Sequence, residues 1–304
     1  MNSSSSRHGV YGTPPLALAT VPADARIFGP FLPGSEDLAE LQDGALSTLV
    51  VLAPAGVLER RYALAQALRV LEPGGQLTVM ALKDKGGSRL RKELEAFGCV
   101  VIETSKAHHR ICGVTRPAQV EGVSAAIAAG DPRRSETLNL YTQPGIFSWD
   151  RPDPGSALLM EHLPALSGRG ADLGAGLGVL ALAVLASPKV TSLTLIDLDY
   201  RAVRAAQRNV ADGRAEILWA DVRTTELTNL DFVVMNPPFH DGGAEDRSLG
   251  QTFIRKAAEA LRKGGTCWLV ANRHLPYEAV MAPLFAKVTL QAETKAFKVY
   301  EARK

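Results

Sequence analysis

Asn236-Pro237-Pro238-Phe239 stands directly after an apolar run, Phe232–Met235, and its residue types suit one kind of chemistry. An exocyclic amine on a nucleobase is a poor nucleophile, because its lone pair is delocalised into the ring. The side-chain oxygen of Asn236 and the backbone carbonyl of Pro237 can each accept one N–H from such an amine. Two acceptors fixed in that arrangement draw the nitrogen toward tetrahedral geometry and aim its lone pair at an incoming carbon. The prolines restrict the backbone, and Phe239 offers a ring face to an extruded base. Positioning of this kind is worth roughly 7–11 kcal/mol at the extreme. An Asn-Pro turn after a strand is common, and N-P-P-F in this place is less so. His240 follows directly and is read as a positioning residue or as none.

A second loop, Asp172-Leu173-Gly174-Ala175-Gly176-Leu177-Gly178, lies between a predicted strand and a predicted helix. Glycines there let backbone approach a ligand closely, and the helix start behind them favours a negative group. A dinucleotide-binding G-x-G-x-x-G would need glycine at residue 179, which is Val179. Asp172, a carboxylate set to meet an amine, suits an amino-acid moiety better than a pyrophosphate. The methionine end of S-adenosylmethionine fits that description. Asp197 ends the next predicted strand, 19 residues after Gly178, where a carboxylate accepts both hydroxyls of a ribose. Asp199 beside it shows that solvated loop acids are common here. Asp221 follows Ile217–Ala220; a bond to an adenine amino group and a plain loop acid are equal readings.

These loops need strands to hold them. Predicted strands at Arg169–Leu173, Ser192–Asp197, Ile217–Ala220, Phe232–Met235 and Cys267–Ala271 alternate with helices at Val179–Ala186, Arg201–Ala211 and Phe253–Arg262. Two further segments, Lys287–Glu293 and Lys295–Glu301, close the chain as a strand pair. Alternation of this kind gives an α/β fold with a doubly wound sheet and an antiparallel edge. The first half repeats the pattern: strands at 47–54, 76–82 and 99–103, helices at 58–71 and 87–97, with the strands expected to be parallel. Residues 67–81 align without gaps on 257–271, matching at Ala67/Ala257, Leu71/Leu261, Gly74/Gly264, Gly75/Gly265 and Ala81/Ala271. VVLAP at 50–54 falls where VVMNP stands at 233–237. A tandem duplication follows: two Rossmann-like domains, 1–140 and 141–304, the first degenerate. Ala53 stands there where the second copy has Asn236, and there is no glycine loop. Residues 1–20, Ser-rich at the start, are expected to be disordered, and the Pro- and Gly-containing stretch 130–156 is read as a linker.

Composition narrows the function. Of the 304 residues, 46% are hydrophobic and 22% charged, enough to build two cores. No apolar run reaches the length of a membrane span, and the N-terminus lacks the apolar centre of a signal peptide. Cys99, Cys112 and Cys267 are scattered without metal-ligand spacing, so a cytoplasmic protein with reduced thiols and no metal is expected. His108-His109 has no acidic or cysteine partner in sequence. A net charge of +2 makes neither half a basic domain, so nucleic-acid contact would come from local patches. Lys83, Lys85, Arg89, Arg91 and Lys92 form one such group, with a solvated helix face an equal reading.

The glycine loop, Asp197 and N-P-P-F together resemble the class I, Rossmann-like S-adenosylmethionine-dependent methyltransferases that modify amino nitrogens. More closely, the chain resembles the ribosomal RNA small-subunit methyltransferase C family and its large-subunit relative. The resemblance rests on Gly145–Asp150, Asp153–Ser156, the glycine loop, Asn236–His240, Val270–Tyr277 and Phe297–Tyr300. It implies N2-methylation of guanosine in ribosomal RNA, most simply in the small (16S) subunit, with free rRNA or a subunit as partner and no obligate protein partner. It further implies that Asp172, Gly174, Gly176, Gly178, Asp197 and Asp221 line the cofactor pocket. Asp150 to Ser156, Ser156 among them, would fold over the cofactor, and Asn236, Pro237 and Phe239 would hold guanine. Three alternatives stay open: a large-subunit rRNA target, protein glutamine N5-methylation, and a non-catalytic cofactor- or RNA-binding role.

Overall fold

The structure is a computed structural model that describes residues 6–238, 240–241, 244–245 and 247–304. The chain divides into two compact units, Met1–Asp131 and Pro132–Lys304.

The first unit contains β1 (His8–Tyr11), β2 (Arg26–Phe28), β3 (Leu46–Leu52), α1 (Val57–Val70), β4 (Leu71–Leu82), α2 (Leu90–Glu95), β5 (Val101–Lys106), β6 (His109–Thr115) and α3 (Val123–Gly130). Its sheet runs β2-β1-β3-β4-β6-β5. Two expectations are corrected here. His8–Tyr11, inside the stretch expected to be disordered, is an inner strand paired in parallel with both β2 and β3. Four residues following a serine run carry too little periodicity to announce a strand. Gly9 marks it instead, because a Cβ there would lie 2.9 Å from the side chains of Leu49 and Phe28. The strands are also not all parallel: β6 runs antiparallel to β4 and to β5. Its sequence, HRICGVT, reads neither as an alternating nor as a continuous apolar run. A core of Leu49, Val51, Leu64, Leu68, Leu77 and Val79 fills one face of this sheet.

The second unit opens with a hairpin, β7 (Arg133–Ser135) and β8 (Leu140–Thr142), followed by α4 (Pro154–His162). The stretch read as a linker is therefore folded. Asn209 of the later helix α6 (Tyr200–Asn209) clamps Tyr141 by accepting from its N–H at 2.7 Å and donating to its carbonyl at 3.0 Å. Then come β9 (Gly168–Leu173), α5 (Val179–Leu185), β10 (Val190–Asp197), α6, β11 (Ala215–Trp219), β12 (Leu230–Met235), the short pair β13 (His240–Asp241) and β14 (Ala244–Glu245), α7 (Arg247–Ala260), β15 (Leu261–Asn272), α8 (Tyr277–Met281), β16 (Lys287–Glu293) and β17 (Phe297–Arg303). The sheet order is β11-β10-β9-β12-β15-β17-β16, parallel through β15 and antiparallel at β17 and β16. This is the doubly wound sheet with an antiparallel edge that the sequence predicts. Phe232–Met235 is apolar throughout because β12 lies mid-sheet with residues buried on both faces. Met235 joins a core with α7 and α8, and Val234 joins one with α4 and α5. The crossover from β11 to β12 holds no helix. A cavity of about 300 Å³ lies there, lined by Leu173, Ile196, Val222, Leu227, Lys256 and Glu259 among others.

The two sheets correspond strand by strand from β3 and β12 outward. β4 matches β15, β6 matches β17, and β5 matches β16. His8–Tyr11 occupies the place that β9 holds in the second unit.

Candidate active site

Strand register gathers the chemistry at one edge. Asp172 is level with Leu195 and Val234, Leu173 with Ile196 and Met235, and Asp197 with Trp219. The residues that follow are the glycine loop after β9, Asp221 after β11 and Asn236 after β12. Ligands bind in this crevice, outside the carboxyl ends of the strands, where the strand order reverses. Here the reversal lies between β9 and β12.

Asp172 is fully buried, and neither carboxylate oxygen has a hydrogen-bond partner among the described residues. Burial, and then the charge of Asp197, push its carboxyl up to about 8. The Ala181 amide, outside hydrogen-bonding geometry, pulls the other way. An unpaired buried carboxylate is costly, and a ligand ammonium is the group that would relieve it. The amino-acid end of S-adenosylmethionine carries one, so the residues present fit that cofactor.

The glycine loop is fixed by its own backbone. Gly174 N–H and Ala175 N–H both donate to the Ile196 carbonyl, at 2.9 and 3.1 Å. Gly174, Gly176 and Gly178 have φ of +75°, +54° and +82°, the left-handed region. Gly178 is constrained twice, since a Cβ would lie 2.6 Å from Val210 Cγ2. Gly176 faces open space, with nothing within 4 Å of such a Cβ. There glycine serves the turn and leaves the approach to a ligand clear.

Asp197 ties the loop to β10. Its Oδ2 accepts from Gly176 N–H at 2.7 Å, and its Oδ1 accepts from Asp199 N–H at 2.8 Å. Burial raises its carboxyl to about 6, against the pull of those backbone donors. Each oxygen keeps a second lone pair for a hydroxyl. Asp199 is a helix cap: its carboxylate accepts from Arg201 N–H and pairs with the Arg201 guanidinium at 2.8 Å. Asp221 is held differently. Arg223 pairs with it at 2.7 Å and keeps its carboxyl low, so a bond to an adenine amine would share that carboxylate with a resident cation.

Asn236 reaches the other way. Its Nδ2 donates to Asp153 Oδ2 at 2.8 Å and to Ser156 Oγ at 3.0 Å. Asp153 caps α4, accepting from Ser156 N–H at 2.6 Å, with Pro154 in the first helical turn. Ser156, expected against the cofactor, is thus bonded to Asn236. Pro237 is buried beside it. Phe239 lies outside the described residues. Gly155 is packed on two sides: a Cβ there would sit 3.1 Å from both Asp153 Oδ2 and the Phe297 ring. The link from Asp153 to Asn236 was missed at the level of sequence. Asp-Pro-Gly-Ser is a helix-start pattern, which would have placed Asp153 on a cap at the end of the linker.

A doubly wound sheet carrying a glycine loop, a strand-tip acid for a ribose and an Asn-Pro-Pro turn defines a Rossmann-like S-adenosylmethionine-dependent methyltransferase. Residues 137–301 match the methyltransferase small domain family. Ribosomal RNA small subunit methyltransferase C of Shewanella loihica is 31% identical over 249 residues, spanning 80% of this chain and 73% of that protein. Its counterpart in Shewanella sp. strain MR-7 is 31% identical over 262 residues, spanning 83% and 76%. Among solved structures, the T. thermophilus 16S rRNA N2 G1207 methyltransferase, in complex with AdoMet and guanosine, superposes with a TM-score of 0.77. It shares 25% identity, over 98% of this chain and 88% of that one. The chain belongs to the ribosomal RNA small subunit methyltransferase C family.

Proposed function

We propose that this protein methylates the exocyclic N2 of a guanosine in small-subunit (16S) ribosomal RNA. The observation that carries this reading is the Asn236–Pro237 pair at the ligand edge of the sheet, which also holds a buried acid, Asp172, with no hydrogen-bond partner among the described residues. When bound, S-adenosylmethionine supplies an electrophilic methyl group. Asp172 holds its ammonium, Gly174, Gly176 and Gly178 let the backbone come close, and Asp197 takes the ribose hydroxyls. Asp221 serves the adenine edge while paired with Arg223. Asn236 Oδ1 and the Pro237 carbonyl each accept a hydrogen bond from one N–H of the guanine amine, and Phe239 stacks on the base. Ser156 acts through Asn236 rather than on the cofactor. His240 needs no role as a base, because an alkylated arylamine releases its proton readily.

In this reading the first unit is a degenerate methyltransferase-like domain that selects RNA, and the hairpin from Pro132 onward belongs with the catalytic domain. The strand-by-strand correspondence of the two sheets supports that division. Arg60 supports the loss of the first site. Its guanidinium donates to the carbonyls of Pro54, at 3.3 Å, and Ala55, at 2.7 Å, and Pro54 is the counterpart of Pro237. The partner is rRNA or the assembled subunit, in the cytoplasm. No helix among the described residues is long and apolar enough to cross a membrane.

The test offers small subunits, large subunits and free rRNA from a methyl-deficient source to the purified protein with tritiated S-adenosylmethionine. Label recovered as N2-methylguanosine from small-subunit rRNA is expected. Label in large-subunit rRNA would change the target, and label on protein alone would overturn the reading.

A further inference from the structure

An asparagine amide has a donor end and an acceptor end of the same shape, and only one orientation serves an incoming amine. With Oδ1 outward, Asn236 accepts an N–H. Rotated by half a turn, it would set its own NH2 against the NH2 of the base. Two groups hold the inward end, and they are not equivalent. Ser156 Oγ, 3.0 Å from Nδ2, belongs to a hydroxyl that both donates and accepts. It would satisfy either orientation. Asp153 Oδ2, 2.8 Å from Nδ2, belongs to a carboxylate, which only accepts when ionised. An amide oxygen in that place would face lone pairs, so Asp153 alone decides which end points out.

We propose that Asp153 is a positioning residue for the methyl transfer, its carboxylate locking the Asn236 amide with Oδ1 toward the amine. The proposal rests on the guanine-N2 reading above. The local sequence is built around this oxygen. Pro154 starts the helix that Asp153 caps, and Gly155 leaves the room that a Cβ, 3.1 Å from Oδ2, would take. Ser156 returns its backbone N–H to the same Oδ2 at 2.6 Å. One carboxylate oxygen thus caps the start of a helix and sets a catalytic amide 83 residues away in sequence.

The cap and the lock separate by substitution. Serine is as good a helix cap as aspartate, but a hydroxyl both donates and accepts, so it would satisfy either orientation of the amide. Asparagine caps too, and its amide oxygen, held by the cap, only accepts. Asp153→Ser is expected to lower kcat by about 10- to 100-fold, with the KM for the subunit and the Kd for cofactor within about twofold of wild type. Asp153→Asn is expected to stay within about tenfold in kcat. Wild-type kcat in Asp153→Ser would overturn the proposal, as would equal losses in both variants.

A second readout needs no turnover. In protein labelled with [15N]asparagine, the side-chain NH2 of Asn236 is the signal missing from Asn236→Asp. Its exchange with solvent is expected to be slow in wild type and at least tenfold faster in Asp153→Ser. An unchanged signal refutes the lock. Absence of any guanine methylation by the wild type would instead refute the functional reading, while this signal still decides the role of Asp153.

Discussion

Replacing Asp172 by asparagine should stabilise the cofactor-free protein at alkaline pH and weaken its hold on S-adenosylmethionine. The carboxyl is raised from an ordinary 3.8 to about 8 by burial and by Asp197. Between about pH 5 and pH 8 the unfolded chain has therefore released this proton while the folded chain keeps it. The unfolded state binds fewer protons, so stability falls as pH rises through that window, by about 1.4 kcal/mol per unit and about 4 kcal/mol in all. The asparagine side chain has no proton to lose. The variant should match wild type near pH 5 and exceed it near pH 8, by on the order of 10 °C in Tm for a domain of this size. Trp149, Trp219 and Trp268 are the only tryptophans and all lie in the second unit, so intrinsic fluorescence follows the unit that holds Asp172. Adding cofactor should narrow the gap near pH 8, because a hydrogen bond between charged partners is worth about 1.5–3 kcal/mol, or roughly 10- to 150-fold in Kd. A Tm difference that does not grow with pH, or an unchanged Kd, would refute the assignment of Asp172 as a buried acid awaiting an amine.

Other substitutions give sharper contrasts. Asn236→Ala should lower single-turnover methylation by about 10²-fold or more, the scale seen when one preorganised hydrogen-bonding group is removed from a transition state, with cofactor affinity unchanged by calorimetry. Asp197→Ala should weaken cofactor binding at least tenfold in the same assay, since it removes both the ribose acceptors and the anchor of Gly176 N–H. Gly176→Ala and Gly178→Ala should separate. The first costs about 1–2 kcal/mol of backbone strain and mainly harms binding. The second adds the collision with Val210 and lowers Tm further. Arg60→Ala should cost about 3–5 kcal/mol, as expected when a buried ion pair is broken, because Arg60 is 1% exposed and paired with Glu93 at 2.8 Å; circular dichroism melts would read it.

The second unit was legible because each of its devices is local. Continuous apolar strands, three glycines and an Asn-Pro-Pro turn announce themselves within a few residues, and strand register then brings them together. The features that escaped depend on distant partners. His8–Tyr11 is a strand only because β2 and β3 flank it. HRICGVT is one only because β4 and β5 do. The stretch 130–156 looks like a linker from its prolines and glycines, yet Asn209 fastens its hairpin and Ile146 is buried against Leu177 and Ala202. Asp153 is a cap by sequence pattern, but its bond to Asn236 spans 83 positions and leaves no local trace. Asp221 reads like Asp197 in sequence and differs in the fold because Arg223, two residues on, takes its carboxylate.

The most direct test of the central claim is nucleoside mass spectrometry of small-subunit rRNA after a single turnover, with wild type and Asn236→Ala in parallel. One added methyl on guanosine N2 from the wild type, and almost none from the variant, is the predicted result. Equal methylation by both, or a methyl on any atom other than an exocyclic amine, would contradict it.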